Sequence, residues 1–459
     1  MGAVCCCCCC PEEPVDLNTE VDLYHFELHR AVGKGAFGKV RVVEHKLDNK
    51  LYALKYINKR QCIEMRAVAN IVQERRLLEE IDHTFICNMR FAFQDDDNCF
   101  MVLDLMLGGD LRFHFERSLT LGEDSVRFYV AELSSAVAYL HSNNIIHRDI
   151  KPDNVLLDQH GHAHLTDFNV ACHYESKRPH TSVAGTCFYM APEMIYRKGY
   201  TYTVDWFSLG AMAFELIFGR RPFQGKKTKE IMRKIMHDTP EYPAPTVDLV
   251  SADAKDCIMR LLEKNPSKRL GCKPKGQELA DIRSHPWFAG YDWEKLDKKA
   301  MIPPFVPDPK KMNFDFGHEL DEYMAPSELL THKKRKGRDI NKLSPEMRQL
   351  EEEFTVWDYT KMTRQSYYKL TQPVKTVKPS AGTGSPVPSR PGTAMAAPPP
   401  AALRSHNHSS DAVIEMEELS GSGASSRTGS HERVRTPSPT KVVPPIHVSL
   451  PISPPRAKR

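Results

Sequence analysis

His147-Arg148-Asp149-Ile150-Lys151-Pro152-Asp153-Asn154 is the stretch on which the reading of this 459-residue chain turns. It sets a carboxylate, an ammonium and a carboxamide at i, i+2 and i+5 on one loop. That trio suits movement of a highly charged group onto a hydroxyl. Asp149 can accept or orient the hydroxyl proton, Lys151 can neutralise the group in transit, and Asn154 can ligate Mg²⁺.

Working outward, Asp167-Phe168-Asn169 follows thirteen residues beyond Asn154, and Asp167 is placed to hold a metal bridging the phosphates of ATP. Far upstream, Gly33-Lys34-Gly35-Ala36-Phe37-Gly38-Lys39-Val40 forms a GxGxxGxV loop between two predicted strands. Residues without a Cβ let backbone N–H groups come close to phosphate oxygens. Seventeen residues past Gly38, the strand Tyr52-Ala53-Leu54-Lys55 puts Ala53 and Lys55 on one face. Ala53 can then touch an adenine while Lys55 reaches phosphates. The expected partner of Lys55 is Glu74, on a helix carrying Gln73-Glu74-Arg75-Arg76, and Ala191-Pro192-Glu193 closes the series.

Composition bounds the remainder. The 63 Lys and Arg against 59 Asp and Glu give a net charge of +4, which argues against bulk cationic binding of nucleic acid. No apolar run is long enough to span a bilayer, and the start lacks the basic and apolar regions of a secretory signal. The expectation is a soluble, cytoplasmic protein. Six of the 13 cysteines are consecutive, Cys5 to Cys10, and the others are scattered as small core residues are. Four segments are expected: a cysteine-rich 1–22, a main domain 23–288, a Pro-punctuated strap 289–360, and a Pro/Ser-rich tail 361–459 that cannot bury enough apolar area to order itself. In the main domain, strands are expected at Phe26–Val32, Val40–His45, Leu51–Ile57, Phe91–Phe93 and Phe100–Leu105, with a helix around Ile71–Glu80. After Gly109 helices dominate; in Asp124–Asn143 the residues Val126, Tyr129, Val130, Leu133, Val137 and Leu140 form one apolar stripe. The fold class is α+β: a small β-rich lobe with one regulatory helix ahead of a large, mainly helical lobe.

Together these motifs resemble the eukaryotic protein kinases over Phe26 to Phe288, and Lys151 resembles the serine/threonine class. Arg269-Leu270-Gly271-Cys272, His285-Pro286-Trp287-Phe288 and the strap are similar to the AGC group. Gly2, the run Leu107–Arg112, Asp167-Phe168-Asn169 and the basic run His332–Arg338 resemble its YANK branch. The resemblance implies a two-lobed fold, ATP and Mg²⁺ as cofactors, and protein substrates bearing Ser or Thr. By it Asp149, Lys151 and Lys55 are catalytic, and Asn154 and Asp167 bind metal. The nucleotide is expected along Gly33–Val40, Ala53, Lys55, Glu74, Asp104 and Met106, with its ribose near Asp110. Asp205 is expected to steady the catalytic loop and Glu193 to pair with Arg269. A spine of Leu78, Met89, His147 and Phe168 is implied as well.

Regulation follows the same resemblance. Arg148 implies an activation segment ordered by phosphate at Ser182, added by an upstream kinase, with Thr186 helping to form the hydroxyl pocket. Phe354 and Trp357 are expected to dock on the small lobe, with Asp358 as a fixed charge where relatives carry a phosphorylated residue. Asp153 and Glu215 match positions that bind a basic residue upstream of the target. Asn169 stands where glycine is usual, so restricted mobility of a positive-φ residue is expected there. Gly2, Cys5 and Cys6 are lipidation candidates, and an acylated N-terminus implies plasma-membrane or endomembrane association. A monomer is expected. The alternative reading is a membrane-attached pseudokinase scaffold marked by Asn169.

Overall fold

The computed structural model describes residues 17–34, 38–118, 120–175, 178–243, 249–308, 330, 335 and 339–366. Expectations resting on 1–16, including Gly2, Cys5 and Cys6, on Gly35, Ala36 and Phe37, on the side chain of Lys34, and on 367–459 lie outside the described residues.

The chain opens with β1 (Phe26–Lys34), β2 (Lys39–His45) and β3 (Lys50–Asn58), an antiparallel meander. The alternation in β3 buries Tyr52, Leu54 and Tyr56 and leaves Ala53 and Lys55 partly open on the other face. Gly38 stands just before β2, where a Cβ would lie 2.2 Å from the Tyr56 carbonyl oxygen. The short α1 (Lys59–Glu64) follows, its first N–H groups capped by the Asn58 side chain. The regulatory helix is α2 (Val68–Glu80), starting three residues before the periodicity suggests. Then come β4 (Met89–Gln94) and β5 (Asn98–Asp104).

The large lobe begins with α3 (Leu111–Ser118) and α4 (Glu123–Ser142), whose predicted stripe is buried throughout. Short strands β6 (Ile145–Ile146), β7 (Val155–Leu157), β8 (Ala163–Leu165) and β9 (Cys172–His173) carry the loops between them, β6 pairing with β9 and β7 with β8. After α5 (Pro192–Tyr196) comes α6 (Thr203–Phe218), apolar almost all round and therefore the central helix of this lobe. Around it sit α7 (Thr228–His237), α8 (Ala252–Leu261), α9 (Glu278–Arg283) and α10 (Trp293–Asp297).

The strap departs from a plain surface segment. Phe305 packs edge-on to His114 of α3. Farther on, α11 (Pro345–Glu353) starts at a Ser344 cap with proline at its first position. It buries Leu350, and Phe354 and Trp357 beyond it are 0% and 2% exposed. β10 (Trp357–Asp358) then adds antiparallel to β4, giving a six-stranded sheet in the order β1-β2-β3-β5-β4-β10. Val21 packs in the small lobe with Leu23 and Phe26, and Leu296 of α10 lies in the main core.

Candidate active site

Asp205, fully buried on α6, organises the catalytic loop. Its carboxylate accepts from the backbone N–H groups of His147 (2.9 Å) and Arg148 (2.8 Å) and from His141 Nε2 (2.9 Å). Burial works to raise the Asp205 pKa, but the His141 bond and charge with the loop N–H groups hold it below the usual 3.8. Those bonds keep Arg148 at a positive φ of 70°, a strained conformation costing roughly 1–3 kcal/mol for a non-glycine residue.

From that fixed loop, Asp149 Oδ2 accepts from Lys151 Nζ at 2.7 Å and from Asn154 Nδ2 at 3.0 Å. Oδ1 accepts from the backbone N–H of Thr186 at 2.8 Å, and Lys151 Nζ also donates to Thr186 Oγ1 at 2.9 Å. Burial alone would raise the Asp149 pKa; Lys151 and Thr186 outweigh it and keep the carboxyl below its ordinary value. Gly185 makes the approach possible. At φ 93° it carries no Cβ, which would otherwise stand 2.2 Å from the Arg148 carbonyl oxygen.

Across the cleft, Lys55 Nζ donates to Glu74 Oε1 at 2.6 Å. Burial disfavours the Lys55 ammonium, yet the charges of Glu74 and Asp167 raise its pKa above the ordinary value. Burial raises Glu74 as well, with Lys55 opposing and Asp167 adding to the rise. Asp167 therefore lies within electrostatic reach of the Lys55–Glu74 pair.

Hard oxygen donors of the kind Mg²⁺ takes are present in Asn154 and Asp167. Both Asn154 amide N–H bonds described go to Asp149, so its Oδ1 is the atom left for a metal. The residues fit Mg²⁺ with a polyphosphate, since Lys55 supplies a cation beside them.

A profile described as "Protein kinase domain" matches residues 26–288. This chain belongs to the protein kinases. Human serine/threonine-protein kinase 32C is 41% identical over 335 residues, covering 71% of this chain and 67% of that one. Human serine/threonine-protein kinase 32B is 39% identical over 372 residues, 76% of this chain and 87% of its own. Serine/threonine-protein kinase Sgk1 of Fundulus heteroclitus is 37% identical over 284 residues, 61% and 64% of the two chains. The protein is a serine/threonine kinase of the AGC group, similar to the 32 kinases.

Several expected residues of the kinase take conformations or partners that the sequence reading did not name. Asn169 keeps an ordinary negative φ, while the left-handed residue is Asp167 at φ 66°. The backbone places no demand for glycine at 169, so asparagine there imposes no strain. The Asp104 carboxylate is not turned toward Lys55. It binds Arg90 at 2.6 and 2.8 Å and borders a recess of about 580 Å³ shared with Asp82, His83 and Lys299. Only the main chain of Asp104 is left for a nucleotide, with Met106 half-buried two residues on. Asp110 accepts from the Phe113 N–H at 2.7 Å and so caps α3. Asp358 is 5% exposed, and among the described residues its partners are Thr360 and Lys361. Its charge is spent on a local turn and does not reach α2.

Other residues come together as expected. Arg148 Nη1 lies 3.3 Å from Ser182 Oγ and 3.1 Å from the Tyr200 hydroxyl. Glu193 takes a bidentate bond from Arg269 at 2.6 and 3.0 Å. Leu78, Met89, His147 and Phe168 are all buried, with the His147 and Phe168 rings 5.0 Å apart.

Three arginines and a lysine that sequence reasoning missed complete the picture. Arg112 stands between Asp153 and Glu215. Arg75 of α2 donates to the Thr355 carbonyl and hydroxyl oxygens at 3.1 and 2.8 Å, and buried Lys59 pairs with Glu351 at 2.7 Å. Arg364 donates to the Leu78 and Glu79 carbonyl oxygens at 3.0 and 3.1 Å and to that of Met89 at 3.2 Å. Of the basic run, Arg335 is described and pairs with Glu351. These partners lie from 16 to 292 residues apart, and no local pattern announces them.

Proposed function

We propose that this kinase acts as a monomeric, non-specific serine/threonine protein kinase, moving the γ-phosphoryl group of Mg·ATP to Ser or Thr hydroxyls of proteins. The observation that carries this reading is the bridge from Lys151 Nζ to both Asp149 Oδ2 and Thr186 Oγ1. A hydroxyl entering beside Thr186 meets an ionised Asp149, which orients it and takes its proton. Lys151 offsets charge on the group being transferred, while Lys55, fixed by Glu74, positions the phosphates. Asn154 and Asp167 would hold the metal, which when bound would neutralise charge on the ATP phosphates. Retention of every one of these groups argues against the scaffold alternative.

The test is ³²P transfer from Mg·ATP to a degenerate Ser/Thr peptide library by the full chain, beside Asp167→Ala. Transfer lost in the variant supports the reading; equal incorporation by both proteins refutes it.

Two further elements belong to the same proposal. An upstream kinase phosphorylates Ser182, supported by the reach of Arg148 to its hydroxyl. The chain is cytoplasmic and attaches to membranes through acylation of Gly2 and of Cys5 and Cys6, supported by the sequence Met1-Gly2 followed by six adjacent thiols. One acyl chain binds a bilayer only marginally, so two signals are required. Incorporation of an alkyne-labelled fatty acid that survives Gly2→Ala together with serine at all six cysteines would refute the attachment.

A further inference from the structure

Beside the acceptor pocket lie two carboxylates of the kind that select a basic side chain. Glu215 belongs to α6 and its side chain is 5% exposed; Asp153, two residues after Lys151, is 47% exposed. Both already face a cation of this chain. Arg112, in the first turn of α3, places Nη1 3.0 Å from Glu215 Oε1 and Nη2 3.3 Å from Oε2. Its Nε and Nη2 each stand 3.4 Å from Asp153 Oδ2, and Nη2 donates to the Tyr189 hydroxyl at 2.6 Å.

A second cation reinforces the first. Arg221 Nε lies 3.3 Å from Glu215 Oε1, and its guanidinium stacks 3.8 Å above the Phe188 ring. Tyr189 also donates to Glu215. The two carboxylates and two guanidiniums sum to no net charge. Phe188 and Tyr189 follow Thr186 by two and three residues, so this neutral cluster adjoins the point where the acceptor hydroxyl is held.

We propose that Arg112 is a specificity-determining residue: it fills, from within the chain, the place between Asp153 and Glu215 that a substrate arginine would take, so the kinase does not select basic residues upstream of its target Ser or Thr. The inference rests on the phosphotransfer reading above. The physical reason is competition. An incoming arginine would have to displace a forked, charge-assisted contact already ordered by folding, while itself losing translational freedom. It would also have to open a carboxylate that Arg112 and Tyr189 cover. Loss of Arg112 leaves two carboxylates facing one guanidinium, and the missing cation can then come only from the substrate.

The experiment uses the full chain and a peptide library with fixed Ser/Thr and five degenerate upstream positions. Wild type, Arg112→Leu, Arg112→Gln and the double variant Arg112→Leu/Glu215→Gln are compared. Arg112→Gln keeps an amide donor for Glu215 in case the leucine variant folds poorly. Wild type is expected to show no enrichment of Arg or Lys. Both single variants are expected to enrich Arg at one upstream position by about tenfold, the size of one charged hydrogen bond, and the double variant to lose it. Enrichment of basic residues by wild type, or no gain in either single variant, overturns the proposal. Absence of transfer by wild type above Asp167→Ala would count against the phosphotransfer reading instead. The role of Arg112 is then decided by fluorescence anisotropy with an Arg-containing peptide and its Ala counterpart. Tighter binding of the Arg peptide by Arg112→Leu than by wild type supports it, and equal binding overturns it.

Discussion

Lys55 and Glu74 show how one contact sets the competence of the small lobe. Glu74 is fully enclosed apart from its bond to Lys55, and its second oxygen has no partner among the described residues. Replacing it with glutamine removes the charge that raises Lys55 and keeps the shape. A charged hydrogen bond is worth about 1.5–3 kcal/mol, so kcat/KM for peptide phosphorylation in Glu74→Gln should fall by about 10–100-fold with little change in Tm. An unchanged kcat/KM would mean that Lys55 is positioned by something else. Asp205 works on stability. Its folded pKa lies below the usual 3.8, so its contribution is complete above about pH 4 and is lost as pH falls through the folded value. Asp205→Asn should cost about 3–5 kcal/mol at neutral pH by leaving its buried partners without a charge. It should also flatten the fall of stability as pH drops below about 4. Urea titrations across that range would show both effects, and a variant retaining the wild-type slope would assign the acid sensitivity to other carboxylates.

At the scale of elements, α2 is held from two sides, by the strap and by Arg364 just beyond the limit expected for it. Arg75 reaches Thr355, and the Arg364 guanidinium takes the carbonyl oxygens of the last turn of α2. Ser366 donates to Glu80, which also bonds His173 of β9 at 2.9 Å. The end of the regulatory helix is thus shared between the strap and the start of the activation segment. A cation at a helix C-terminus stabilises by about 0.3–1 kcal/mol, and up to about 2 when partly buried. Arg364→Ala should therefore speed amide exchange in the last turn of α2 by up to about 30-fold, read by hydrogen-exchange mass spectrometry. Exchange confined to wild-type rates would show that the helix end is held without Arg364.

Over the whole molecule, the strap is part of the small lobe. Phe354 and Trp357 are buried aromatic side chains contributing roughly 1.5–3 kcal/mol each, and β10 covers the edge of β4. Deleting residues 339–459 should lower the Tm by several degrees and reduce peptide phosphorylation at least tenfold, because α2 loses Thr355 and Arg364 while Lys59 of α1 loses Glu351. Deleting only 367–459 should leave both close to wild type. Equal behaviour of the two truncations in calorimetry and activity assays would contradict the structural role of α11 and β10.

Much of the active site was legible in the residues alone. Asp149, Lys151 and Asn154 lie within six positions, so their proximity is set by the chain, while Asp205 fixes the shape of the loop. The alternation around Ala53 and Lys55 and the stripe in α4 are local periodicities, which burial then follows. The aim of Asp104 was not legible, because it depends on which neighbour offers a hydrogen bond. The same holds for Arg112, whose partners Asp153 and Glu215 are 41 and 103 residues away, and for Lys59, 292 residues from Glu351. Chemistry that must be contiguous leaves a pattern in the chain. Charges brought together only when separate elements pack leave none, and in this kinase those contacts brace the small lobe.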